Sequence, residues 1–211
     1  EQWGIIEEDA QAVTEAGGTV VQTWPQIGVV VAHSTSSTFR DDVKDEARGS
    51  LYSVGATRTV PVTEGTPVDA RAKRRDVSKR TSAVTPDPRE GEQWDMRMIK
   101  ADQAHEITDG SRSVLVGVLD SGIDPDHPDL VANIDTADSV NCSDAGHPDT
   151  SATGWQPTTS DHGTHVAGTI AAARNGVGIV GVAPNVRMAS VKVVNDDGFI
   201  YPEYAVCGFM W

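Results

Sequence analysis

The chain has 211 residues, is 38% hydrophobic and 23% charged, and sets 17 Lys+Arg against 31 Asp+Glu for a net charge of −14. That length suits one or two domains with a sizeable core, and the acidic balance opposes nucleic-acid binding, which needs surplus positive charge. No apolar run approaches the roughly 20 residues that span a bilayer, and the two cysteines are too few for a disulfide-dense scaffold or a four-thiolate zinc site.

The charge is uneven: net −5 over residues 1–60, +2 over 61–90 and −11 over 91–211. The chain begins with Glu1 and shows no secretory signal pattern. Glu7-Glu8-Asp9 opens a helix that Gly17-Gly18 stops, with acids at its positive end. The β-rich runs Thr19–Trp24 and Ile27–Ala32, parted by Pro25-Gln26, predict a hairpin. Ser37–Arg48 predicts a second helix and Leu51–Val62 a third strand. The order α-β-β-α-β is that of a ferredoxin-like split βαβ unit short of its first strand, since only Gly4-Ile5-Ile6 precedes the first helix. Pro61, Pro67, Pro86 and Pro88, with no apolar periodicity between them, mark the next stretch as an exposed linker. Its runs Arg71-Ala72-Lys73-Arg74-Arg75 and Lys79-Arg80 read as solvated charge, with trypsin-like processing as the alternative.

From residue 91 the pattern changes. Met98–Thr108 predicts a helix, and Ser113–Leu119 is a near-continuous apolar run, the mark of a strand buried on both faces. Val166–Ala173 predicts a closely packed helix, Arg187–Val194 another buried strand, and Tyr201 onward a further helix. Strands alternating with helices predict an α/β domain with a parallel sheet, whose functional residues lie beyond the carboxyl ends of strands. Asp120 sits at such an end, within VGVLDSGIDPDHPDL (116–130). A second block, DHGTHVAGTIAA (161–172), places His162 at a helix start, with Gly163, Ala167 and Gly168 small enough for close packing. An acid that orients an imidazole and an imidazole that shuttles a proton are two thirds of an Asp-His-Ser arrangement. The competing readings of His162 and His165 are a zinc site and a pair of buried structural histidines; no HExxH pattern accompanies them. Cys142 in a polar loop and Cys207 near the end are left open: paired together, paired elsewhere, or free.

These blocks, in this order, together with GVAPNVRMASVKV (181–193), resemble the subtilases, the subtilisin-like serine proteases. The chain order Asp, then His, then Ser is that family's own. The resemblance runs from about residue 93 to 211 and implies a subtilisin-like parallel-sheet α/β domain, truncated, preceded by a small α+β ferredoxin-like prodomain. Residues 1–62 would be the prodomain, an inhibitor and folding assistant; 63–90 the linker holding the processing region; and 91–211 the N-terminal part of the catalytic domain. It implies Asp120 as orienting acid, His162 as general base and His165 as a structural histidine. Gly198, with Phe199 and Ile200, would lie where an extended substrate adds as a strand. It further implies a structural calcium held by Asp129, the Asn175 side chain and the carbonyls of Ala173, Val177 and Ile179, an oxygen set that suits that ion. No cofactor is expected for the chemistry. Expected partners are protein or peptide substrates and the prodomain on its own catalytic domain, with no nucleic acid and no membrane, in an extracellular setting. The GTSMA-type block that carries the family's serine is missing from this sequence, so these 211 residues are expected to be inactive alone. A non-catalytic inhibitor or chaperone module, or an inactive fragment, is the alternative.

Overall fold

The computed structural model describes residues 7–61 and 86–211. The N-terminal unit opens with α1 (Glu7–Glu15), whose Glu7, Glu8 and Asp9 meet the positive end of the helix as expected. Strands β1 (Thr19–Trp24) and β2 (Val29–His33) pair antiparallel through a 3-10 turn at Pro25–Ile27, which Gly28 closes in the left-handed region. Helix α2 (Phe39–Glu46) packs on α1. Gly18 leaves room there for the Phe39 ring, which would have to move to admit a Cβ. The expected third strand shrinks to β3 (Val60–Pro61). Residues 51–59 carry no ladder, and Tyr52 is 98% exposed. The β1–β2 sheet has two strands among the described residues, because β3 pairs with the other unit instead. The first-strand candidate and most of the expected linker lie outside the described residues.

In the second unit the helix expected over 98–108 is two short helices, α3 (Trp94–Met98) and α4 (Ala101–His105). Lys100 between them takes a left-handed φ of 62°, which interrupts the helical ladder and turns Ala101 inward. Next come β4 (Leu115–Asp120), β5 (Val140–Asp144), β6 (His147–Asp149), α5 (His162–Ala171), β7 (Arg187–Lys192), β8 (Phe199–Ile200) and α6 (Pro202–Met210). The sheet order is β4-β7-β5-β6, parallel from β4 to β7 to β5, with β6 antiparallel at the edge. Both faces are covered. Val118, Ile123, Leu130, Met188 and the small residues Ala167 and Ala171 of α5 form one core. Val140, Cys142, Val191, Val193, Tyr204 and Cys207 form the other, under α6. Neighbours Val118 and Leu119 serve opposite cores, but the expected burial of the whole run fails at its start, where Val114 and Leu115 are exposed and β4 lies at the sheet edge among the described residues.

Cys142 is not in a loop. It is fully buried on β5, whose polar sequence (VNCSD) hides an alternation in which Val140 and Cys142 point inward. It is bonded to Cys207 of α6 across 65 residues, a closure that stabilises by about 4 kcal/mol in the chain-entropy account. Trp24 of β1 packs against the same core, so the N-terminal unit touches the second one at its α6 face.

Candidate active site

Strand β4 delivers Asp120 at its carboxyl end, and α5 begins at His162. Both Asp120 carboxylate oxygens lie 2.9 Å from His162 Nδ1. The Asp120 side chain is 13% exposed and that of His162 21%, so the contact is shielded yet reachable. A carboxylate accepts only, so Nδ1 carries a proton, and in the neutral form of such a ring the lone pair is at Nε2.

The approach depends on small groups. A Cβ on Gly163 would collide with the Gly122 carbonyl and come within 3.0 Å of Asp120 Oδ1. Gly168, by contrast, has only the end of Ile179 nearby, at an ordinary 3.7 Å, so of the small residues the sequence points to, Gly163 is the one that space demands. Sequence reasoning overlooked Ser121. Its hydroxyl accepts from Gly163 N–H at 3.0 Å, while its own N–H donates to Asp120 Oδ1 at 2.6 Å. Buried Ser190 accepts from Ile123 N–H and donates to the Trp155 carbonyl, fixing the turn after Asp120. Both lie inside the quoted blocks, yet nothing local marks either as a group that positions the site. His165 is exposed on α5, so the pair is not two buried histidines.

Gly198 adopts φ 81° and closes a turn on the Asn195 carbonyl at 3.0 Å. The strand itself is formed by Phe199 and Ile200. It is taken antiparallel by the chain's own β3, with Val60 opposite Ile200 and Pro61 opposite Phe199.

Asp129 is 4% exposed. Its Oδ2 accepts from Ile179 N–H at 3.0 Å, while Oδ1 is buried with no partner. Burial, with neighbouring Asp87 adding to it, raises its carboxyl above the ordinary value against the pull of the Ile179 N–H and His127. Asn175 donates to the Pro128 carbonyl at 3.0 Å, and its Oδ1 accepts from Val177 N–H. Ala173 N–H donates to the Asp129 carbonyl at 2.8 Å. The structure adds Asp87, 3% exposed, which accepts from Gly176 and Asn175 N–H at 2.5 and 3.3 Å. Asp87 falls within the expected linker, yet it and Arg89 sit against this loop. An orphaned carboxylate oxygen beside a second buried acid is an environment that a hard cation fits. Among the described residues no cluster of three or more His, Cys, Asp or Glu is placed to hold a metal ion.

A strand-end acid and a helix-start histidine thus meet at the carboxyl end of the parallel sheet, and β3 with β8 forms a separate two-stranded pair. Residues 111–206 match the model of the subtilase family. The chain is 42% identical over 116 residues to an intracellular serine protease of Paenibacillus polymyxa, covering 55% of this chain and 34% of that one. It is 37% identical over 118 residues to subtilisin E of Bacillus subtilis (strain 168), covering 56% and 28%. The crystal structure of fervidolysin from Fervidobacterium pennivorans, a keratinolytic enzyme related to subtilisin, superposes with a TM-score of 0.68 at 26% identity, over 97% of this chain and 32% of that one. The chain thus spans about a third of the length of these relatives. Among the described residues no helix is long and apolar enough to cross a membrane.

Proposed function

We propose that the chain is the N-terminal part of a subtilisin-type serine endopeptidase that cleaves proteins or peptides. The observation that carries this is the Asp120 carboxylate held 2.9 Å from His162 Nδ1 at the carboxyl end of parallel strand β4. In this reading Asp120 keeps the imidazole in the tautomer whose Nε2 takes a proton from a serine hydroxyl. The imidazolium then gives that proton to the leaving amine, and Asp120 stabilises its charge. The serine would come from sequence following Trp211, and these 211 residues alone would not turn over substrate. In the complete protein, Asp120→Asn or His162→Ala should lower kcat on a peptide substrate by about 10⁴-fold; near-native turnover in either variant would overturn the assignment.

The N-terminal segment is proposed as an intramolecular inhibitor and folding assistant, supported by β3 lying on Phe199–Ile200 as a substrate strand would. The bond processed would lie beyond Pro61, in the 63–90 stretch. Asp87, Asp129, Asn175 and the carbonyls of Ala173, Val177 and Ile179 are proposed to hold a structural calcium, with no part in the chemistry. The buried Cys142–Cys207 disulfide supports an extracellular setting, against the intracellular name of the Paenibacillus relative.

A further inference from the structure

Lys192 is a buried charge with no part in the proton transfer just described. It ends β7 directly beside Asp120 of β4, and its side chain is only 4% exposed. A buried ammonium needs acceptors for its donors. Nζ donates to Thr158 Oγ1 at 2.8 Å and to Asp196 Oδ1 at 3.1 Å. Thr158 Oγ1 donates to the same carboxylate, and Thr159 Oγ1 donates to the Asp196 backbone carbonyl at 3.0 Å. The Thr158 hydroxyl, with Lys192 behind it and burial opposing, holds the Asp196 carboxyl below its ordinary value, so it is charged at neutral pH.

The three side chains close a triangle that fastens three segments: the end of a core strand, the loop that enters α5 at His162, and the loop from 193 to 198 that feeds β8. That last loop is tied directly to β8. Asn195 N–H donates to the Phe199 carbonyl at 3.0 Å, and Asn195 Oδ1 accepts from Phe199 N–H at 2.9 Å. Thr158 and Thr159 precede His162 by only four and three residues.

We propose that Lys192 and Asp196 are positioning residues that make strand pairing at β8 and the Asp120–His162 contact strengthen and weaken together. The idea rests on the reading of β8 as the substrate edge and His162 as the base. A peptide that adds to Phe199–Ile200 stills the 193–198 loop. Through the triangle it also stills the segment that carries His162. Binding of remote substrate residues thereby orients the proton-transfer group.

The test uses the 211-residue chain and needs no hydrolysis. The readout is solvent exchange of the His162 Nδ1 proton, followed by NMR on histidine labelled with nitrogen-15. Val60→Pro removes a backbone N–H from the β3–β8 pair. It is expected to speed that exchange about tenfold or more in the wild-type background. In a Lys192→Met background, where the stem still packs but the donor is gone, Val60→Pro should add nothing. Asp196→Ala, at the exposed corner of the triangle, should act as Lys192→Met does and serves should the latter not fold. Arg187→Gln, which cuts the ion pair to Asp135 at the other end of β7, should leave the coupling intact. No effect of Val60→Pro in wild type, or an equal effect in all backgrounds, overturns the proposal. A complete protein that fails to hydrolyse peptides would sink the protease reading and leave this coupling measurement standing.

Discussion

The two units of this molecule are held together by different means. Among the described residues 7–61 the buried apolar side chains are Ala12, Val13, Val43 and Ala47, around a sheet of two strands. In 86–211 the sheet has a core on each face, and one of them encloses a disulfide. Two strands and four small side chains are marginal as an independent fold. The N-terminal unit therefore draws stability from what it leans on, through Trp24 at the α6 face and β3 on β8. A segment whose order depends on its neighbour is suited to be held in place and later released.

That contrast can be broken from either side. The largest expected effect is on the second unit. Reducing Cys142–Cys207, or replacing both residues by Ser, should cost about 4 kcal/mol there, read as a lower urea midpoint. Calcium comes next. At a hundredfold excess over its dissociation constant it should add about 2.7 kcal/mol to the second unit, and Asp87→Asn should weaken the response; a melting curve indifferent to calcium would count against the site. Val43→Ala should do the reverse of both. It empties part of a 2% exposed core position and should cost the N-terminal unit about 2 kcal/mol, seen as faster amide exchange in α1 and α2 with β4 and β7 unmoved.

The smallest effect concerns pH. Asp196 is held below the ordinary carboxyl value by Thr158 and Lys192. Its contribution is complete above that value and fades as pH falls through the lower folded one. The melting temperatures of wild type and Asp196→Asn should therefore converge as pH falls below about 4, and a constant gap at every acid pH where the chain still folds would contradict it. The effect is modest because the side chain of Asp196 is 64% exposed.

The two residues that the structure brings together at the strand end carry local signals in the sequence. Asp120 follows an apolar run, and His162 opens a small-residue helix. Each is a pattern of a few residues with one backbone geometry behind it. Strand β5 was not readable, since Asn141, Ser143 and Asp144 disguise its inward Val140 and Cys142. Asp87 carried no signal either, because its hydrogen bonds reach Asn175 and Gly176, 88 and 89 residues away. Ser121 and Lys192 looked like ordinary strand-end residues until the loops they fasten came beside them.

The composition, the period-two and helical runs, and the Gly and Pro punctuation were enough to predict an α/β sheet and most of its main elements, while the resemblance of two motif blocks to the subtilases pointed to Asp120 and His162. Pattern energies act over a few residues, and those features need no more. Tertiary structure alone decided that Cys142 meets Cys207, that Asp87 closes on the 173–179 loop, and that β3 leaves its own hairpin to lie on β8. Each of those pairings closes a long loop at an entropic cost that no local pattern offsets. Only the burial gained when the whole sheet and its two cores assemble selects one such closure over the others.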